Sequence, residues 1–179
     1  MKLEPTAIDG AWVVRTEPRG DERGWFARTF DAAAFAGAGI DFTVVQANAS
    51  WNPVAGTLRG LHLQAEPHGE PKLVSCVRGA AFDVAVDLRP QSPTYRRWHA
   101  VELSADNRLA FFLPAGLAHG YQTLTGDCEL HYLMGHEYVP EAATGVRWDD
   151  PAFGIEWPPA PPGGRTIAAR DLEFPDHGA

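Results

Sequence analysis

Short apolar runs rich in β-branched and aromatic side chains follow one another along the chain, each bounded by glycine, proline, asparagine or aspartate. Such runs predict strands. They cover Trp12 to Thr16, Trp25 to Phe30, Phe42 to Gln46, Thr57 to Gln64, Lys72 to Val77, Ala81 to Leu88, Trp98 to Leu103, Leu109 to Leu113, His119 to Leu124 and Glu129 to Met134. Several alternate with period two. Phe82, Val84, Val86 and Leu88 share one face of their run, and Asp83, Ala85 and Asp87 the other. Helical periodicity is confined to Asp31 to Ala38, where Asp31 is placed to cap the first turn. About ten strands and one short helix predict an all-β sandwich or barrel and exclude a βαβ fold. There is no G-x-G-x-x-G or P-loop, and neither internal repeats nor low-complexity segments interrupt the pattern.

Length fits a single domain spanning residues 1–179. The 18 glycines and 15 prolines exceed the usual ~12% share and lie between the runs, as many turns require. The cluster Pro158 to Gly164 is expected to be a surface connection to a C-terminal tail (residues 158–179). Fifteen basic and 23 acidic residues give a net charge of −8, which argues against nucleic acid as a partner, because phosphate neutralisation needs a basic surface. A local basic pocket is still compatible with that balance. No run approaches the ~20 apolar residues of a membrane span, so a cytoplasmic protein without membrane contact is expected. Cys76 and Cys128 lie far apart and in no metal-like spacing.

Candidate chemistry gathers in four segments. In Thr57 to Gln64 a histidine and an arginine interrupt an apolar strand, and alternation puts His62 and Arg59 on opposite faces. Either a bulge at Gly60 re-aims one of them or they serve different sites. Lys72 opens a strand, a place where lysines are usually solvated. Pro114 to Tyr121 is a tight turn delivering His119 to the next run. Leu130 and Tyr132 share a face, and a tyrosine turned to an apolar interior needs a partner for its hydroxyl. Pro114-x-Gly116-x-x-His119 is also half of a cupin-like metal pattern. The rest of that pattern is missing: Gln64 stands where a second histidine would follow His62, and two imidazoles alone make a poor transition-metal site.

Taken together, the chain resembles the dTDP-4-dehydrorhamnose 3,5-epimerase family of nucleotide-sugar epimerases. The resemblance runs from Gly20-Asp21-Glu22-Arg23-Gly24 to Ala169-Arg170-Asp171. It is carried by Val45 to Ser50, Leu58-Arg59-Gly60-Leu61-His62, Lys72-Leu73-Val74, Asp83 to Asp87, Ser92-Pro93-Thr94, Leu103-Ser104-Ala105, Ala118 to Tyr121, Trp148-Asp149-Asp150 and Ile155 to Pro158. It implies a metal-free, cofactor-free cupin-type jelly-roll barrel, and a homodimer that exchanges N-terminal strands. His62 matches the family's base, Asp171 its carboxylate partner, Tyr132 the acid on the opposite face of the sugar, and Lys72 the group beside the keto oxygen. Arg23, Gln46, Asn48, Arg59, His119 and Tyr138 match positions lining the nucleotide-sugar site, and Arg170 replaces a common lysine there. Arg28 and Ala143 each stand where some members carry a glutamate near the ligand.

The implied reaction inverts C3 and C5 of a nucleotide-linked 4-keto-6-deoxyhexose through an enolate. An imidazole with an ordinary pKa near 6.5 is largely available as a base at neutral pH, and a phenol near 10 keeps its proton to donate. An ammonium at the developing oxyanion is a donor of the kind worth ~3–4 kcal/mol, and guanidinium groups suit a diphosphate. Alternatives are a mono-epimerase at C3 or C5, an enzyme for CDP-linked sugars, a metal-dependent cupin enzyme and a non-catalytic sugar binder.

Overall fold

The computed structural model describes residues 1–178. Among these residues fourteen strands and two short helices follow in the order β1 (Lys2–Pro5), β2 (Trp12–Arg15), β3 (Arg19–Asp21), β4 (Gly24–Phe26), α1 (Ala32–Gly37), β5 (Gln46–Asn52), β6 (Thr57–Gln64), β7 (Lys72–Arg78), β8 (Ala80–Asp87), β9 (Trp98–Ser104), β10 (Leu109–Leu113), β11 (Leu117–Thr123), β12 (Cys128–Met134), β13 (Ala143–Gly145), β14 (Thr166–Ile167) and α2 (Ala169–Leu172). One sheet has the order β1-β2-β10-β7-β12-β5; the other runs β13-β6-β11-β8-β9, with β14 added alongside β6. All pairings are antiparallel except β14 with β6. β3 and β4 form a separate hairpin. This is an all-β jelly-roll barrel of two facing sheets. No helix among the described residues is long and apolar enough to cross a membrane.

Between the sheets, Val74, Cys76, Ala81, Ala85, Val101, Leu103, Phe111, Leu113, Leu117, Tyr121, Cys128 and Leu130 pack into one cluster. The outer face of the first sheet is covered as well: Phe35 of α1 and Phe42 pack on Val14, Leu73, Ala110 and Phe112, with the Phe35 and Phe42 rings at 5.3 and 5.1 Å from that of Phe112. Leu61, Val86 and Ala118 of the second sheet are covered by Val146 and Phe153. Cover on both faces explains why Leu109-Ala-Phe-Phe-Leu113 is apolar throughout instead of alternating.

The expected α1 is present, its Asp31 side chain accepting from the Ala33 and Ala34 N–H groups. Residues 158–164 are all exposed or half-buried. Two expected strands differ. Residues 42–45 are not strand; Phe42 and Val44 instead pack outside the sheet with α1, and pairing begins only where the Val45 N–H meets the Met134 carbonyl. The run at Trp25 shortens to β4, which pairs only with β3. β1, β3, β13, β14 and α2 are short elements that the apolar pattern does not announce.

Candidate active site

At one end of the barrel the apolar filling gives way to a polar cavity of about 310 Å³. Its walls come from both sheets: Gln46, Asn48 and Ser50 from β5, Lys72 from β7, and Tyr132 and Met134 from β12 on one side. Arg59, His62 and Gln64 from β6, with His119 and Tyr121 from β11, form the other. Glu70, Tyr138 and Arg170 complete the rim.

The bulge question at Gly60 is answered by the register. His62 pairs with His119 and Arg59 with Tyr121, so three steps on β6 match two on β11. This β-bulge turns both Arg59 and His62 into the cavity. It needs a glycine: Gly60 has φ +117°, and a Cβ there would lie 2.6 Å from the Gly120 Cα and 2.7 Å from the His119 carbonyl oxygen. The Gly60 N–H donates instead to Asp171 Oδ2 at 2.9 Å.

Asp171 therefore has two donors, because its Oδ1 lies 2.8 Å from His62 Nε2. Burial opposes the charge on Asp171, but the bonds from His62 and Gly60 outweigh it and hold the carboxyl below its ordinary range. An ionised carboxylate only accepts, so Nε2 carries the imidazole proton and Nδ1 is the basic nitrogen. The short helix α2 brings Asp171 across from the tail, and Phe174 packs edge-on against the His62 ring at 5.7 Å. Arg170 sits above Phe174 with its guanidinium 5.7 Å from the ring.

Across the cavity the Tyr132 hydroxyl is 3.1 Å from Ser50 Oγ, which lies 3.0 Å from the Tyr121 hydroxyl. Tyr121 donates to Asn52 Oδ1, which also accepts from Arg59 Nε at 3.0 Å. Burial first, then the neighbouring Tyr121, push the Tyr132 phenol well above its usual value, against the bond from Ser50. His119 Nε2 meets both oxygens of Asp83 at 3.0 Å, deep in the barrel. Burial raises the Asp83 carboxyl, opposed by His119 and Lys72. Lys72 is buried rather than solvated, with Nζ 2.6 Å from Glu70 Oε1.

Nine of the eleven sequence-derived candidates thus line one cavity, and a tenth, Asp171, braces His62 from behind. Arg23 does not join them. It sits in the β3–β4 turn, its side chain 83% exposed and paired with Asp21. Ser50, Tyr121, Asp83, Asn52 and Glu70 were not singled out in the sequence. A period-two signal was there for two of them: Gln46, Asn48 and Ser50 form one polar stripe of β5, and Tyr121 follows His119 by two. Gln64 braces the loops, donating to the His68 and Glu137 carbonyls and accepting from the Val139 N–H.

A family model for dTDP-4-dehydrorhamnose 3,5-epimerase matches residues 5–177. The chain belongs to this epimerase family. A dTDP-4-dehydrorhamnose 3,5-epimerase from Methanothermobacter thermautotrophicus is 48% identical over 86% of this chain and 82% of its own. A dTDP-4-dehydrorhamnose 3-epimerase from Streptomyces niveus is 40% identical over 97% of this chain and 82% of its own. The crystal structure of a dTDP-6-deoxy-D-glucose-3,5-epimerase from Legionella pneumophila in complex with dTDP-4-keto-L-rhamnose superposes with a TM-score of 0.91. It is 35% identical, and the match covers 98% of this chain and 92% of that one.

Proposed function

We propose that this epimerase-family chain inverts C3 and C5 of a dTDP-linked 4-keto-6-deoxyhexose, converting dTDP-4-dehydro-6-deoxy-glucose to dTDP-4-dehydro-rhamnose. One observation carries the reading: a carboxylate-braced imidazole on one sheet and a half-buried phenol on the other line the same cavity, with a buried ammonium beside the phenol's strand. A sugar ring held between the sheets would meet a base on one face and an acid on the other. That is the requirement for inversion at a carbon α to a ketone.

His62 Nδ1 takes the proton from C3 or C5, and the electron pair moves into the C–C bond as the C4 oxygen becomes an enolate. Lys72 supplies charge and N–H donors to that oxygen. Tyr132, kept protonated by burial, gives its proton to the opposite face as the enolate collapses; His62 then releases its proton to solvent and Tyr132 regains one, which resets both groups. Asp171 holds the His62 tautomer and stabilises the imidazolium that forms. Arg59 and Arg170 provide the local positive charge that lets a chain of net charge −8 take an anionic diphosphate, with Gln46, Asn48, His119 and Tyr138 as further contacts. These roles use side chains alone and call for no cofactor. We further propose a homodimer in which the β3–β4 hairpin of one protomer reaches its partner's cavity, which gives the exposed Arg23 its place beside the substrate.

The deciding experiment incubates the protein with dTDP-4-keto-6-deoxy-glucose in D₂O and follows C3 and C5 by NMR. Deuterium at both carbons with inversion is expected. The 3-epimerase relative favours a second reading, inversion at C3 alone, and exchange confined to C3 would select it. Absence of exchange at either carbon would overturn both for this nucleotide sugar, and the CDP-linked sugar would be tried next.

A further inference from the structure

The mechanism above leaves one buried charge in the cavity wall unused. Glu70 lies two residues before Lys72, separated from it by Pro71. A residue before proline is held to extended backbone, and in an extended segment side chains at i and i+2 project to the same side. Glu70 and Lys72 therefore meet: Nζ lies 2.6 Å from Oε1, with the two side chains only 6% and 11% exposed for lysine and glutamate respectively. The Pro71 carbonyl accepts from the Gly135 N–H at 2.8 Å, which ties the segment to the end of β12. Both side chains line the cavity.

A lysine is a point charge on a flexible four-carbon stem, and its value to an enolate depends on where that charge is held. An ammonium has three N–H donors. Glu70 occupies one, which leaves two for a substrate oxygen and fixes the direction in which they point. A buried ammonium also requires a counter-charge.

Resting on the epimerase reading, we propose that Glu70 is a positioning residue, which holds the Lys72 ammonium where the enolate oxygen develops. It touches Lys72, not the sugar, so its removal should slow the chemical step and leave substrate affinity nearly unchanged. Glu70→Ala is expected to lower kcat by on the order of 10- to 100-fold, the scale of a misplaced catalytic group, with KM nearly constant and deuterium wash-in slowed equally at each carbon the wild type exchanges. Glu70→Gln keeps an acceptor oxygen at the same reach and should recover most of kcat. Glu70→Asp is one methylene too short and should fall between.

Thermal melting of each variant accompanies the kinetics. Should Glu70→Ala fail to fold, Glu70→Asp carries the same test, with kcat reduced at constant KM. An unchanged kcat, a loss expressed only in KM, or a Glu70→Gln variant as slow as Glu70→Ala would each overturn the positioning role. Reductive methylation of substrate-free protein, read at Lys72 by peptide mass spectrometry, separates this proposal from the functional reading. Lys72 should be protected in the wild type and modified faster in Glu70→Ala or Glu70→Asp. Equal rates would overturn the role of Glu70 whether or not the protein turns over the dTDP-linked sugar, while an inert wild type with a protected Lys72 would overturn only the assigned substrate.

Discussion

At the scale of single residues the site works by giving His62 and Tyr132 opposite surroundings. The imidazole is part-exposed to the cavity and braced by a carboxylate, and the half-buried phenol is hydrogen-bonded to Ser50, which in turn meets Tyr121. In the proposed mechanism the first takes a proton and the second, its phenol pushed up by burial, gives one. His62→Ala is expected to lower kcat by about 10²–10⁴-fold, the usual worth of a positioned acid or base. Its melting temperature should stay close to that of the wild type, since the side chain is partly exposed. Near-normal turnover would remove His62 as the base. Tyr132→Phe should behave differently. His62 and Lys72 still form the enolate, so deuterium wash-in without inversion should persist while inverted product is lost, which NMR reads directly. Inversion at the wild-type rate would make Tyr132 an ordinary core residue. Arg59→Ala should act mainly on KM through the phosphate. Because Arg59 also donates to Asn52, a modest fall in stability should accompany it.

At the scale of elements, β6 and β8 show what a period-two pattern can and cannot convey. On β6 the register slip at Gly60 puts two residues of odd spacing on one face, and nothing in alternation reveals it. Gly60→Ala tests that geometry. Positive φ and backbone contacts of 2.6–2.7 Å should cost about 2–4 kcal/mol in urea-melt stability, together with activity, since relief of the clash moves His62 or Arg59. On β8 the alternation was legible, but which face points inward was not. Asp83 and Asp87 prove to be fully buried with Ala85, because each has partners there: His119 for Asp83, and Arg89, Ser92 and Thr94 for Asp87. The two carboxyls differ in sign. Burial raises Asp83. At Asp87 burial is outweighed by Arg89, Ser92 and Thr94, which lower its pKa to about 2. A depressed carboxylate stabilises the fold above its unfolded pKa near 3.9 and loses that contribution as pH falls through its folded value, here about 2 kcal/mol. Asp87→Asn should therefore be less stable than the wild type at pH 6, and chemical melts should show the gap closing as pH falls toward 2. Eight of the ten runs and α1 could be read from the chain because long strands impose a strong period. The runs at Phe42 and Trp25 were cut back by packing outside the sheets, and the lining residues of β5 came from the family resemblance rather than from alternation. β14, α2 and the Glu70–Lys72 contact could not be read, because short elements and loop contacts are set by tertiary packing.

At the scale of the whole molecule, the hairpin β3–β4 is hydrogen-bonded to neither sheet, and Trp25 touches the rest of its own chain through the Arg108 guanidinium, 4.8 Å from its ring. Trp25 is 55% and Phe26 78% exposed, a poor arrangement for a chain in isolation. Beside them Arg23 has no role within its own protomer beyond Asp21. Both features are accounted for at once if the hairpin crosses to a second copy, placing its apolar side chains against that copy and its guanidinium at the copy's diphosphate. Sedimentation equilibrium should then give twice the chain mass, and a two-fold symmetric pair presents the same patch on both sides. Phe26→Asp should weaken the dimer and lower activity in proportion, with dilution of the variant lowering specific activity further. Arg23→Ala should leave the dimer intact and raise KM. The decisive sample mixes a His62→Ala protomer with an Arg23→Ala protomer. Each homodimer is impaired, but the mixed dimer joins the intact cavity of the Arg23→Ala chain to the intact hairpin of the His62→Ala chain. A rise in activity on mixing, toward half the wild-type value in the mixed dimers, is expected. A strictly monomeric protein, or activity that does not rise on mixing, would place Arg23 outside the site altogether.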